Sequence, residues 1–238
     1  MVDNVYTGDK FSLITVVNLN DGTLVLYRFQ IRKDDKFSLL NGESDENKNC
    51  VHIENFNPIY NGGIKQVAVF GDRILILTHL NYLYVKGTLY DMGNAVEYVL
   101  YRKFNVKILS LHNGINNCLL VGQDNVIYAI GHNDYSEFGI KEEELMTARS
   151  PNNNQEVLDT NQGEVFENKF FQMNNLVIKK LSSGARHSLV LCNNGQLYCF
   201  GDNSDGQCCG LEKIVIIPTI IRFDDRNEVI VDIKDGFN

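Results

Sequence analysis

The sequence of 238 residues predicts an all-β fold, an array of four antiparallel repeats of about four strands each. Three observations carry this. The first is self-similarity: YLYVKG, VIYAIG and QLYCFG place Tyr84 with Gly87, Tyr128 with Gly131 and Tyr198 with Gly201 in one register. The second is the hairpin signal Asn193-Asn194-Gly195 between the apolar runs of Leu189, Leu191 and Leu197, where Asn-Gly suits a two-residue turn with positive φ at both positions. The third is that helical periodicity is absent apart from a possible turn at Lys141 to Met146.

Taken in order, FSLITVVNLNDGTLVLYRF aligns with HSLVLCNNGQLYCFG, predicting strands at Phe11 to Val17 and Thr23 to Phe29 with Asp21-Gly22 as the turn. The opening strand of that repeat is missing from the pattern. The charged stretch Lys33 to Asn49 reads as a loop, and CVHIENF from Cys50 as an outer strand. IKQVAVFGDRILIL predicts strands at Ile64 to Phe70 and Ile74 to Thr78, with an outer strand in AVEYVLYRKF from Ala95. The third repeat opens at Val106 to Leu111 and has its outer strand in VFENKFFQM from Val165. The interval from Gly131 to Gly201 is much longer than that from Gly87 to Gly131, and the polar insertion Lys141 to Val165 accounts for the excess.

The fourth repeat predicts strands at Ile178 to Ser182, Ser188 to Cys192 and Gln196 to Phe200, and an outer strand in VIIPTIIRF, where Pro218 suits an edge. Gly201 and Gly206 mark sharp turns in which a β-carbon would be in the way. Finally, Val229 to Asn238 matches the opening strand of a repeat and stops where a second would begin. The two ends thus read as complementary halves. The resulting blades are about 11–60 plus 229–238, 64–105, 106–176 and 177–228, in one repeat domain spanning 1–238. Leu189, Leu191, Leu197 and Ile127 are expected to face inward, with Tyr198 and Phe200 between repeats.

A net charge of −8 argues against wrapping a phosphate backbone, so no direct nucleic-acid binding is expected. The six cysteines, Cys50, Cys118, Cys192, Cys199, Cys208 and Cys209, show no CxxC pair and no tetrahedral metal spacing, and are expected as free thiols in a reducing compartment. His52, His79, His112 and His132 likewise lack metal spacing. No run of 18 apolar residues and no signal core occur, which predicts a soluble cytoplasmic or nuclear protein without membrane contact. Neither a phosphate loop nor a Gly-x-Ser-x-Gly elbow is present, so no enzyme-type site, metal or cofactor is expected.

The string GARHSLVLCNNGQLYCFGDNSDGQCCGL resembles the repeat of the regulator of chromosome condensation family of β-propellers. The features shared are Gly184, His187-Ser188, Asn194-Gly195, Tyr198 with Gly201, and Gly206-Gln207 followed by Gly210. The third repeat keeps Gly131, Asn133, Tyr135, Phe138 and Gly139 in GHNDYSEFG, and PTIIRFDDRNEVIVDIKDG resembles the family's linker into the next blade. The resemblance implies β-propeller-type repeats of four-stranded blades, with Gly131, Gly184, Gly195, Gly201 and Gly206 as structural repeat residues. Family rings have seven blades and this chain has four, a partial or unusually small propeller. A closed four-bladed ring, a truncated seven-bladed protein and an arc completed by another chain all fit; a piece of a larger ring is favoured, because blade geometry tuned for seven resists closing at four.

By the same resemblance, the function implied is a non-catalytic protein-interaction module, the alternative being a guanine-nucleotide exchange factor for a Ran-type small GTPase. The implied partner is a protein, such as a small GTPase or a histone, with self-association through exposed blade faces. Arg186 and His187 begin a second strand at a place that faces the GTPase in exchange-competent relatives. In a repeat position, a His tying blades together by hydrogen bonds is the blander expectation for His187. The insertion sits where an exchange wedge would arise, so Glu142, Glu143 and Glu144 join the candidate partner-binding residues.

Overall fold

The computed structural model describes residues 2–7, 11–17, 24–30, 51–54, 63–89, 93–148, 164–223 and 230–234. Four four-stranded antiparallel sheets follow one another along the chain. The first holds β1 (Val2–Thr7), β2 (Phe11–Val17), β3 (Leu24–Gln30) and β4 (Val51–Glu54). The second holds β5 (Ile64–Phe70), β6 (Arg73–Thr78), β7 (Tyr82–Leu89) and β8 (Gly93–Lys103). β9 (Ile108–Asn113), β10 (Asn117–Gly122), β11 (Ile127–Gly131) and β12 (Phe166–Asn168) form the third. β13 (Ile178–Ser183), β14 (His187–Cys192), β15 (Leu197–Asp202) and β16 (Ile214–Ile221) form the fourth. Helix is confined to α1 (Glu142–Ala148) and the single turn α2 (Phe170–Met173) among the described residues, so the second half of VFENKFFQM is helical rather than extended.

The sheets stand side by side through their first strands, β1 beside β5, β5 beside β9 and β9 beside β13, and they do not close into a ring. The second and third blades are slabs buried on both faces, and this is why strands such as β6 and β10 read as unbroken apolar runs. In β6, Leu75 and Leu77 face the third blade while Ile74 and Ile76 face the opposite way. In β10, Cys118 and Leu120 face the second blade, and Leu119 and Val121 face the fourth. Val190, Cys192, Tyr198 and Phe200 of the fourth blade pack into that same third-to-fourth layer with Ile127. Leu191 and Leu197 lie on the fourth blade's other face, where Ile233 covers them and Leu189 is only half-buried.

The first blade is completed differently from the expectation. β2 pairs with β1 on one side and β3 on the other, so the strand expected to be missing is Val2–Thr7 and β2 has no edge left for residues 229–234. Residues 230–234 form no strand; they lie against the fourth blade through Ile233 and a Lys180–Asp232 ion pair. The loop 33–49, Cys50, Pro58 and the part of the insertion at 149–163 lie outside the described residues.

The hairpin turn also corrects a detail. Gly195 N–H donates to Cys192 O at 3.0 Å and Cys192 N–H to Gln196 O at 2.9 Å, which encloses three loop residues rather than two. Only the third, Gly195, is left-handed, at φ +83°, as in a type I turn closed by a bulge residue. Asn81 and Asn125 hold the same place in the second and third blades, with φ of 61° and 62°. Their side chains reach the next blade, Asn81 Oδ1 accepting from Ile108 N–H at 3.2 Å and Asn125 Oδ1 from Ile178 N–H at 3.0 Å. One residue type thereby makes the turn and ties consecutive blades together.

Candidate interaction site

Three glycines set the geometry of the loop-bearing rim. Gly87, Gly131 and Gly201 have φ of +115°, +105° and +110°, and each lies against the start of the preceding strand. A β-carbon on Gly201 would meet Arg186 O at 2.4 Å and His187 Cα at 2.6 Å; on Gly131 it would meet Asn116 O at 2.3 Å. Both the left-handed conformation and the contact exclude a side chain. Arg73, Asn117 and His187 are thus equivalent positions at the heads of the second strands, and the residue before each sits at the rim.

Beyond the glycine, each of the last two blades folds a tight loop on an Asn. Asn133 Oδ1 accepts from Phe138 N–H at 2.8 Å in the third blade, and Asn203 Oδ1 from Cys208 N–H at 2.7 Å in the fourth. Glu137 and Gln207 occupy the same place, each carboxyl or amide oxygen receiving the N–H two residues earlier, at 2.8 and 3.0 Å. Ser136 and Gly206 are left-handed in parallel, as are Gly139 and Cys209. The left-handed place of Gly139 is therefore taken in the fourth blade by Cys209, at φ 58°, and Gly210 follows it.

The cysteines depart from expectation. Cys208 takes the buried place of Phe138 and is bonded to Cys199 of β15, Cα to Cα 5.3 Å. Cys118 and Cys192 are buried free thiols, and Cys209 is exposed. A spacing of nine residues carries no recognisable motif; the pair is joined only because β15 and the loop after it fold back together.

Arg186 is exposed at the head of the fourth blade, its guanidinium 4.3 Å from the Tyr135 ring centroid of the third blade's loop. Acids surround it. Burial pushes the Glu137 carboxyl up to about 7, against the downward pull of backbone N–H groups and Arg186. Asp202 is held below its ordinary range: although burial opposes this, Ser204 Oγ–H and N–H donate to it and Arg186 lies near. His132 Nδ1 stands 3.3 Å from Asp134 Oδ2 on the same loop. Of the two rim residues named from sequence, Arg186 therefore reaches solvent, whereas His187 is buried and 7% exposed. Tyr135, Glu137 and Asp202 were not singled out as site residues, although the GHNDYSEFG string contains two of them.

The acidic residues of α1 lie in a different feature. Glu142, Glu143 and Glu144 form its exposed first turn, and the first two line a cleft with Lys141, Met146, Ile216 and Ile217. Gly184 lies in the β13–β14 connection at the rim, whereas Gly195 closes the β14–β15 hairpin at the opposite end of the blade. His112, brought down to about 4 by burial with Lys180 nearby, is neutral at physiological pH. No helix among the described residues is long and apolar enough to cross a membrane, and no group of three or more His, Cys, Asp or Glu among them converges as for a metal.

Four-stranded antiparallel blades set side by side, with a glycine-set loop rim, define a β-propeller repeat protein. Residues 178–207, in the fourth blade, match the family model of the regulator of chromosome condensation (RCC1) repeat, and the chain resembles proteins built of that repeat. Over 107 residues it is 30% identical to the X-linked retinitis pigmentosa GTPase regulator of Canis lupus familiaris, covering 44% of this chain and 9% of that one. Over 102 residues it is 28% identical to a bifunctional serine/threonine-protein kinase/NEDD4-like E3 ubiquitin-protein ligase of Dictyostelium discoideum, covering 43% and 5%. Its fold is similar to that of Prp20p from Saccharomyces cerevisiae, with TM-score 0.65 and 17% identity over 94% of this chain and 51% of Prp20p. The chain spans about half of that protein and under a tenth of the two curated relatives.

Proposed function

We propose that this chain is a non-catalytic protein-interaction module that engages a protein partner through the rim between its third and fourth blades. The observation that carries the reading is Arg186, an exposed guanidinium held in place by the Tyr135 ring and bordered by Glu137 and Asp202. A cation so pre-positioned binds a carboxylate or backbone carbonyl with little further ordering. His187 supports the blade from within. The acidic turn Glu142 to Glu144 is a second contact region.

A Ran-type small GTPase is the partner class favoured by the likeness to Prp20p, whose structure was described together with its binding to Gsp1p and histones. Guanine-nucleotide exchange is the second reading, and it needs no covalent chemistry from the propeller. A histone partner fits the acidic net charge, and this reading places the chain in the cytoplasm or nucleus. The test is titration of a Ran-type GTPase loaded with fluorescent GDP. Saturable binding that weakens at least ten-fold in Arg186→Ala is the expected result, and accelerated GDP release would promote the exchange reading. Equal binding by Arg186→Ala and the parent chain would overturn the assignment of the rim.

A further inference from the structure

We propose that the Cys199–Cys208 disulfide is a reversible thiol–disulfide exchange site that locks the rim loop of the fourth blade when oxidised, with glutathione-class thiols as its redox partner and Cys209 as its point of entry. The bond ties β15 to the loop that follows it, Cα to Cα 5.3 Å. In a chain read as cytoplasmic or nuclear, such a bond is of the reversible, redox-responsive kind. Its consequence for partner binding rests on the reading of the Arg186 rim; the chemistry does not.

The loop depends on this bond because the packing that holds its counterpart is missing. In the third blade the place of Cys208 is taken by Phe138 and that of Cys199 by Ala129, both buried in one cluster. Phe138 also stands 5.5 Å, centroid to centroid, from Phe166, which pairs with Ala129 across the ladder. The residue paired with Cys199 in the fourth blade is Thr219. An aromatic pair beside a small residue is thus replaced by two sulfurs beside a hydroxyl. Once reduced, the loop keeps its hydrogen bonds to Asn203 and Gln207 but loses its anchor to β15. Ser204, at the start of this loop, donates to Asp202 near Arg186, so the lock extends to the rim itself.

Accessibility sorts the free thiols. Cys118 and Cys192 are buried, and burial pushes their thiols up to about 12 and about 11, away from the thiolate that reacts. Cys209 is exposed and follows Cys208 directly. In the reduced loop, the Cys209 thiolate attacks oxidised glutathione: a bond from Cys209 Sγ forms as the glutathione S–S bond breaks, releasing one glutathione thiol. A bond between Cys208 and Cys209 is disfavoured, because adjacent Cα atoms about 3.8 Å apart fall short of the roughly 4.4 to 6.8 Å that a disulfide spans. The Cys199 thiolate therefore attacks Cys209 Sγ and expels the second glutathione thiol. Attack of the Cys208 thiolate on Cys199 Sγ then returns Cys209 to the thiol. Two protein thiols are oxidised, one glutathione disulfide is reduced, and the two cysteine protons end on the glutathione thiols. Reduction runs the same steps backwards.

The test is hydrogen exchange and peptide mapping by mass spectrometry on the full chain, equilibrated in reduced or oxidised glutathione. The parent should interconvert between disulfide and dithiol. Amide exchange over residues 203–209 should rise at least ten-fold in the reduced form, while residues 133–139 of the third blade stay unchanged. The Cys199→Ala, Cys208→Phe double variant, which copies Ala129 and Phe138, should keep residues 203–209 protected in both buffers. Cys209→Ser should leave the oxidised loop intact and slow reoxidation by oxidised glutathione at least five-fold. Arg186→Ala should alter none of these readouts, and no partner is present, so failure of the rim reading and failure of the lock are distinguishable. A bond that reduced glutathione leaves intact, or equal exchange of residues 203–209 in both forms, would overturn the lock. A double variant as labile as the reduced parent would show that the bond does not stand in for the Phe138 packing. Reoxidation of Cys209→Ser at the parent rate would overturn Cys209 as the point of entry.

Discussion

The guanidinium of Arg186 lies 4.3 Å from the centroid of the Tyr135 ring, and the two residues belong to different blades. Their contact joins the head of β14 to the loop after β11, so the rim of one blade is ordered by the next. An exposed cation over an aromatic face contributes about 0.5 to 1 kcal/mol. Tyr135→Ala should therefore lower stability by no more than about 1 kcal/mol in urea unfolding. Its effect on partner binding should be larger, because Arg186 loses its support, and a double-mutant cycle with Arg186→Ala should show coupling. Additive effects on binding would mean that Tyr135 does not position the arginine.

Gly201 offers a backbone test of the repeat. Its β-carbon position is occupied by Arg186 O and His187 Cα, both main-chain atoms that yield only if β14 moves. Gly201→Ala should destabilise by more than about 1 kcal/mol, overriding the roughly 0.4 to 1 kcal/mol gained by stiffening the unfolded chain. Gly195→Ala, with nothing within 4 Å, should cost less because only its φ of +83° is strained. Chemical denaturation of the two variants side by side decides the order, and a stabilised Gly201→Ala would refute it.

Glu137 makes stability depend on pH. Its folded value of about 7 exceeds the ordinary 4.5, so the fold favours the protonated form. Its contribution is fully present below about pH 4.5 and is lost as pH rises through about 7. Glu137→Gln, which copies Gln207 of the fourth blade, keeps an oxygen for the Tyr135 N–H and removes the buried charge. The variant should gain on the order of 1 to 3 kcal/mol over the parent at pH 8 and almost nothing at pH 4. Melting temperatures across that range check it; a gain independent of pH would show that the charge is not the cause.

The two leucines of β14 that share a face should respond differently to truncation. Leu191 is 0% exposed beneath Ile233, whereas Leu189 is half-buried on the same face. Leu191→Ala should cost about 2 to 5 kcal/mol and Leu189→Ala clearly less. Equal losses in urea unfolding would indicate that Leu189 is covered as fully as its neighbour.

Much of the architecture was legible in the chain alone, because what specifies a strand or a tight turn is local. Apolar runs such as ILIL and CLLVG, the residues closing the hairpins, and a glycine repeated after each Tyr-x-x pointed to four-stranded blades and to their loop rim. Arg186 was named only through the resemblance of its repeat, which put it at the start of a second strand. Other features arise only when distant segments meet. Val2–Thr7 completes the first blade because β2 exposes a ladder edge there, although its sequence lacks the repeat pattern. Cys199 and Cys208 pair because a loop returns over its own strand, and Cys209 takes the left-handed place held by Gly139 in the equal-length loop of the third blade. The partnership of Arg186 with Tyr135, and the outward turn of Ile216 and Ile217 beside α1, depend on how neighbouring elements are set against one another. Periodicity and backbone freedom are written residue by residue, whereas contacts between blades are decided by the packing of surfaces far apart in the chain.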